Sequence, residues 1–364
     1  METVSVGLLL PVSGIRPMSK DFNKALKKAM NQALEGTDYE AEFLAEMIGT
    51  GSPAQVEGAL DKLFGYHGVD VVTGIVSHNG IEAYVDKFKK NQVPLVLNNM
   101  GEHLIPSSGY NPYVLHNNIG IFQQFWLSGY YAASELGSKS LLVSAMYDSG
   151  YNFLTAFDMG LRAANPDIEH QLKLLPLPEP GKLSNVNEIF DQLDFENTDF
   201  VMGIFCGEEA TMFLEEFKAR NLQDKVKLLG LPFLLEPGEA DLSGISVYAP
   251  SHQKEDFTFK QLYRDMGTVS GKAIARAILE GEGEVAPDAL KNALKDLDGN
   301  RVYDAKAATQ LTGAIHIVKH DFGADNELQS EIVFEREVNL DTDAEYNMFR
   351  NAQSSSWVNP YLCI

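Results

Sequence analysis

Apolar positions in this chain come in short runs, each closed by a polar or glycine break and then followed by helical spacing. Residues 3–10 put Val4, Val6, Leu8 and Leu10 on one side and stop at Pro11-Val12-Ser13-Gly14. Residues 22–34 place Phe22, Leu26, Ala29, Met30 and Ala33 on one helical face. Residues 40–48 read as a second strand, and Ser52-Pro53 opens a helix whose inner face is Val56, Leu60, Leu63 and Phe64. The run over residues 69–76 carries Val69, Val71 and Val72, then Gly74, Ile75 and Val76, as expected of a strand buried on both faces of a parallel sheet. It empties into Ser77-His78-Asn79-Gly80, and Ile81, Tyr84, Val85 and Phe88 then predict one amphipathic helix. A fourth strand, 93–97, ends in Asn98-Asn99-Met100-Gly101.

The rhythm then restarts. A short strand at 113–115 precedes a helix over 121–136 with an aromatic stripe, Phe122, Phe125, Trp126 and Tyr130, which reads as a packed face. Strands at 141–146, 170–175, 199–205 and 226–229 alternate with helices to about residue 164, around 186–193 and over 210–219. Their exits are again polar: Tyr147-Asp148-Ser149-Gly150-Tyr151 and Cys206-Gly207-Glu208-Glu209. After a strand at 245–249 the order changes. Helices over 257–279 and 287–297 are followed by strands at 312–318 and 331–338, and the tail from residue 339 is polar and irregular until residue 357. Two successive α/β halves with doubly wound parallel sheets are predicted, each with a polar edge at its strand C-termini, where such sheets bind ligands. The late segments are too short for a third domain, so the chain is expected to cross between halves more than twice.

The exit of the third strand carries the sharpest chemical expectation. Backbone N–H groups at the start of a helix lack intrahelical partners, and the helix dipole adds positive potential, so Ser77 to Asn79 read as an anion site. The plainer alternative is helix capping by Ser77 or Asn79.

Composition narrows the classes. The chain has 364 residues, 45% hydrophobic and 22% charged, which suits a folded protein of about two domains. Net charge is −22 with no block of Lys and Arg, so nucleic acid is excluded as an expected partner. No apolar run reaches the roughly 20 residues of a membrane span. The opening METVSVGLLLPVSG lacks a basic stretch and reads as a strand, not a signal peptide. Cys206 and Cys363 form no zinc spacing, and their pairing is left open. No dinucleotide or phosphate-binding glycine loop occurs, so no cofactor is expected. His78 and Glu82, four apart, are weighed as metal ligands and set aside for want of a third; no metal is expected.

In order and spacing, VGLLLPVSG, VDVVTGIVSHNG, VPLVLNNMG, ELGSKSLLVSAMYDSGYNF, DFVMGIFCGEEATMFLEEFKARNL and LTGAIHIVKHDFG together resemble the type I periplasmic solute-binding proteins of the branched-chain amino acid (Leu/Ile/Val) ABC-transporter group. The resemblance spans nearly the whole chain. It implies two Rossmann-like lobes joined by three crossover strands near 113–118, 246–251 and 324–332, with a ligand cleft between them. The first lobe would comprise residues 1–116 plus about 250–325, and the second 117–249 plus about 326–364. It further implies a monomer outside the cytoplasm that captures an amino acid or small carboxylate by lobe closure, hands it to an ABC permease, and is not an enzyme. Carried over by position, ligand contacts fall on Ser77, His78 and Asn79, on Asn98, Asn99 and Gly101, on Tyr151 of the second lobe, and more weakly on Ser13. The Ser77 hydroxyl and backbone amides would hold a carboxylate, and Tyr151 would supply an aromatic wall.

The chain departs from that group in the loop after 226–229. There, amino-acid binders offer an acid to the ligand ammonium, whereas this loop reads Gly230-Leu231-Pro232-Phe233, with no acid before Glu236. Glu208, Glu209 or Glu236 would have to replace it, or the ligand has no ammonium group. Two rival readings stand beside transport: a ligand-sensing module of the same fold, and an α/β enzyme using Cys206 or the His78 and Glu82 pair.

Overall fold

The computed structural model describes residues 1–13, 17–103, 111–179, 182–236, 240–251, 259–297, 302–303, 311–312, 314–338 and 357–360. Of the positions discussed above, Gly14, Phe257, residues 339–356 and Cys363 lie outside the described residues.

The first lobe is built from β1 (Glu2–Leu10), α1 (Met18–Leu34), β2 (Tyr39–Met47), α2 (Pro53–Lys62), β3 (Val71–Ile75), α3 (His78–Ile81), α4 (Val85–Asn91), β4 (Leu95–Asn99) and β5 (Val114–Asn118). Its five strands pair in parallel in the order β2-β1-β3-β4-β5. Every residue of β3, β4 and β5 is buried, which is why their apolar residues come side by side, as in Val71-Val72, Leu95-Val96-Leu97 and Val114-Leu115, rather than alternating with polar ones.

The second lobe follows with α5 (Ile121–Tyr131), β6 (Lys139–Ser144), α6 (Phe153–Ala164), β7 (Glu169–Leu174), α7 (Val186–Phe190), β8 (Phe200–Ile204), α8 (Gly207–Ala219), β9 (Lys227–Gly230) and β10 (Ser246–Ser251). These strands repeat the same order, β7-β6-β8-β9-β10, all parallel. In each sheet the strand order reverses once, beside the first strand of the lobe, and that reversal places a crevice at the strand C-termini.

The chain next returns to the first lobe. α9 (Phe259–Glu280) lies along α1, and α10 (Pro287–Leu297) packs beside α9; both also reach β5. Close approach of α1 and α9 requires a glycine, since a Cβ on Gly267 would stand 2.4 Å from the Phe22 carbonyl oxygen. The equivalent crossing in the second lobe, α5 on α6, depends on Gly160, where a Cβ would stand 1.9 Å from the Trp126 carbonyl oxygen. A single apolar cluster runs from β1 and α1 through Phe122, Phe125 and Trp126 to β8 and β9, so the two lobes share packed surface.

The strands β11 (Val302–Tyr303) and β12 (Leu311–Thr312) form a small separate ladder. β13 (Ala314–Phe322) and β14 (Leu328–Glu337) extend the second sheet, antiparallel to β10 and to each other. This corrects the expected third crossover near 324–332. Those residues form a hairpin turned through Ala324–Asn326 inside the second sheet, so the return crossing precedes Ala314. Residues 314–322 therefore sit with the second lobe, not with the first as expected. Their pairing with β10 fixes this, Ala249 facing Val318 and Val247 facing His320.

Candidate site at the strand exits

Ser77 leaves β3 in extended conformation (φ −71°, ψ 147°) and is fully buried. Its hydroxyl caps nothing: Ser77 Oγ has no hydrogen-bond partner among the described residues, and neither ring nitrogen of His78 has one. The single amphipathic helix expected here is broken. α3 is one turn, a 3-10 turn follows at Glu82–Tyr84, and α4 begins at Val85. One turn carries little macrodipole, so the dipole part of the anion-site expectation falls away, and the polar side chains themselves define the site.

His78 does not share a metal site with Glu82, because the histidine is buried and the glutamate is exposed. Among the described residues no group of three or more His, Cys, Asp or Glu side chains is placed to hold a metal ion. What His78 meets is His116, from the middle of β5, with ring centroids 5.6 Å apart; His116 Nδ1 also lacks a partner among the described residues. His103, just beyond β4, extends the row toward the other lobe. Its Nδ1 lies 3.3 Å from Asn152 Oδ1 at the start of α6, and its ring lies 5.3 Å from that of Tyr151. A line of rings, His116, His78, His103 and Tyr151, thus joins the exits of the first sheet to the exit of β6.

Burial makes these imidazoles poor bases. Desolvation, and secondarily the neighbouring His103, lowers the His78 pKa to about 4. Desolvation also lowers His103 to about 4, although hydrogen bonds with Asn152 and the Asn359 main chain act the other way. His116 is held well below its ordinary value by the same burial, then by His78. At neutral pH the site is a neutral, polar, desolvated surface with hydrogen-bonding capacity left over.

Asn98 and Asn99 do different work from that expected. Asn98 Oδ1 accepts from Asn117 Nδ2 at 2.8 Å and from Ser270 Oγ at 2.7 Å, while its amide group reaches Thr73 Oγ1 and the Gly74 carbonyl, each at 3.1 Å. Asn99 donates to the Val76 carbonyl at 2.9 Å and accepts from the Gly101 N–H at 3.0 Å. Both amides are spent on tying β3, β4, β5 and α9 together, because a buried polar group at a parallel strand end must find partners within the fold. They support the site from behind. Gly101 has φ +72°, and a Cβ there would stand 2.9 Å from Asn118 Oδ1, so glycine is needed where the chain turns out of β4.

The second-lobe acids also part company with expectation. Glu209 accepts from the Ser184 N–H at 2.7 Å and so is occupied, while Glu208 is exposed in the first turn of α8. Cys206 is buried at the N-cap of α8. The loop after β9 is a buried apolar turn in which Leu231, Phe233 and Leu234 are each at most 1% exposed. Ser13 is half-buried beyond β1, where the Val12 N–H donates to the Gly49 carbonyl.

Sequence reasoning missed His103, His116 and the segment 357–360. A histidine directly after the buried apolar pair Val114-Leu115 was the available signal for His116. The segment 357–360 carries no local signal, and its placement is purely tertiary. Asn79 Nδ2 donates to the Trp357 carbonyl at 2.9 Å, Trp357 Nε1 donates to the Tyr147 carbonyl at 2.8 Å, and the Tyr151 hydroxyl donates to the Pro360 carbonyl at 3.3 Å. A hollow of about 640 Å³ bounded by Glu2, Asp70, Gln92 and Pro287 opens at the opposite edge, by the strand N-termini, away from these groups.

A family model described as periplasmic binding protein matches residues 3–329. The chain belongs to that family. Among solved structures, this periplasmic binding protein is similar to an ABC transporter substrate-binding protein from Sphaerobacter thermophilus, at 19% identity and TM-score 0.69, covering 92% of this chain and 98% of that one. It is also similar to a solute-binding protein of an ABC transporter from R. palustris in complex with benzoate, at 18% identity and TM-score 0.66, covering 92% and 97%. A third is the branched-chain amino acid transporter substrate-binding protein LivJ from Streptococcus pneumoniae in complex with isoleucine, at 13% identity and TM-score 0.63, covering 91% and 99%. No curated protein matches. The two-lobed parallel architecture and the family resemblance read from the residues are thus both found in the molecule.

Proposed function

We propose that this periplasmic binding protein captures a small polar organic ligand between its lobes, outside the cytoplasm, and delivers it to the membrane permease of an ABC importer without chemical change. One observation carries the reading: among the described residues, Ser77 Oγ and both ring nitrogens of His78 at the exit of β3, and His116 Nδ1 in β5, are buried without partners. Leaving such a group unsatisfied costs about 1–3 kcal/mol. A ligand that supplies the missing partners recovers that cost and gains differential affinity for the closed form. Ser77, His78, His116 and Asn79 of the first lobe and Tyr151 of the second are the proposed contacts.

The ligand class follows from the polar inventory. Hydroxyl and neutral imidazole groups suit a carboxylate or hydroxyl-bearing guest. The apolar turn after β9 offers nothing to an ammonium, which favours a carboxylate lacking one, as in the benzoate complex, over an amino acid as in the isoleucine complex. The test is thermal unfolding with benzoate, 4-hydroxybenzoate, L-leucine and L-isoleucine. A ligand at 100 times its Kd adds about 2.7 kcal/mol. The reading expects a clear rise in Tm with an aromatic carboxylate and a smaller one, or none, with the amino acids. Equal insensitivity to all four, with no small molecule co-purifying, would overturn it.

A further inference from the structure

Residues 357–360 lie across the cleft and engage both lobes at positions assigned above to the ligand. From the first lobe Asn79 Nδ2 donates to the Trp357 carbonyl. From the second, the Gly150 carbonyl accepts from the Trp357 N–H at 3.4 Å, and the Tyr151 hydroxyl both donates to the Pro360 carbonyl and accepts from Asn359 Nδ2, the latter at 3.1 Å. The Asn359 main chain also reaches His103. These are main-chain and amide contacts of the kind that hold a bound peptide.

The groove is shaped for the segment. Three glycines line it, and a side chain on any of them would collide with it. A Cβ on Gly150 would stand 2.0 Å from the Trp357 indole, one on Gly51 2.8 Å from Pro360 Cδ, and one on Gly80 2.9 Å from the Val358 carbonyl oxygen. Ser77 Oγ, both ring nitrogens of His78 and His116 Nδ1 still have no partner among the described residues, this segment included. The segment therefore takes up the rim contacts while leaving the inner polar groups unserved, so it substitutes for only part of a ligand.

We infer that residues 357–360 are a detachable occupant of the cleft, a tethered peptide that competes in cis for the Asn79 and Tyr151 positions. The competition rests on the ligand reading above; the peptide groove itself does not. A ligand must displace the tether, so its apparent Kd is raised by the reciprocal of the fraction of molecules with the tether released. The same tether joins the lobes, and its release is coupled to their opening.

The experiment uses the chain ending at Ser356 and the synthetic peptide Trp-Val-Asn-Pro-Tyr, residues 357–361. Calorimetry is expected to show the peptide binding the shortened chain and not the full chain, and Gly150→Ala in the shortened chain is expected to abolish that binding. Benzoate or L-isoleucine, whichever raises Tm, is expected to bind the shortened chain about tenfold or more tighter than the full chain, and the peptide to compete with it. Should the shortened chain not fold, the full chain carrying Trp357→Ala and Asn359→Ala tests the same gain in small-molecule affinity. Peptide binding by neither chain, or by both equally, overturns the inference. So does small-molecule binding that is unchanged or weakened when the segment is removed, which would make it an inert or supporting wall. Peptide binding to the shortened chain without response to any small molecule would support the tether and overturn the transport reading, so the two failures are distinguishable.

Discussion

His78 and His116 face each other with ring centroids 5.6 Å apart, one from the exit of β3 and one from the middle of β5, and both are buried. Two imidazoles so placed cannot both accept protons without leaving charge in a desolvated space, and the stability of the protein is tied to that fact.

The unfolded chain titrates these histidines near 6.5, whereas His78 and His103 in the fold titrate at about 4. Between those values the unfolded state binds more protons, so stability is complete above pH 6.5 and is lost as pH falls toward 4. For His78 alone the loss approaches about 3 kcal/mol. Carboxylates add their own acid sensitivity, so the diagnostic measurement is a difference. His78→Leu is expected to flatten the fall in urea-unfolding free energy between pH 7 and about pH 4.5. A variant with an unchanged slope would show that the buried imidazole is not the source.

Ser77→Ala is expected to separate stability from binding. The substitution removes a hydroxyl that is buried without a partner among the described residues, so the folded chain should gain up to about 1 kcal/mol. Ligand affinity should fall, since one hydrogen bond to the guest is lost. The check pairs denaturant unfolding of the unliganded protein with calorimetric titration of whichever carboxylate raises Tm.

Asn98 predicts the opposite pattern. Its side chain holds Asn117 and Ser270 at 2.8 and 2.7 Å across three elements. Asn98→Ala is expected to destabilise by about 2–4 kcal/mol, from lost bonds and from partners left buried and unsatisfied. Restoration of ordinary stability by the double change Asn98→Leu with Ser270→Ala would not be expected, because Asn117 would still lack its acceptor.

Gly160→Ala should be among the most damaging single methyl additions, because the added carbon would meet the Trp126 carbonyl oxygen at 1.9 Å and force α5 from α6. A loss of about 3 kcal/mol is expected, read as a lower urea midpoint with an unchanged slope.

Much of the architecture was legible because parallel strands buried on both faces place apolar residues side by side, as β3, β4, β6 and β8 do at Val71-Val72, Leu95-Val96-Leu97, Leu141-Leu142-Val143 and Phe200-Val201-Met202. The polar exits were legible too, since Ser77-His78-Asn79 and Tyr147 to Tyr151 interrupt those runs sharply. Three things were not. The helix after Ser77 keeps helical spacing through Phe88 yet breaks at Glu82–Tyr84, a bend that periodicity does not encode. Asn98 and Asn99 carry the same side chain whether they meet a guest or a neighbouring strand, and only packing decides. β13 reads as a strand in either lobe, and its sheet is settled by partners far away in sequence, Ser246 to Ser251.

The return of α9 and α10 to the first lobe has a consequence for any attempt to dissect the molecule. A fragment of residues 1–118 contains all five strands of the first sheet, yet it leaves Phe22, Leu26 and Met30 of α1 without the helix that covers them. Neither half of this protein is one uninterrupted stretch of sequence, so ribosomal synthesis must pass α10, ending at Leu297, before the earlier half can bury its own hydrophobic surface.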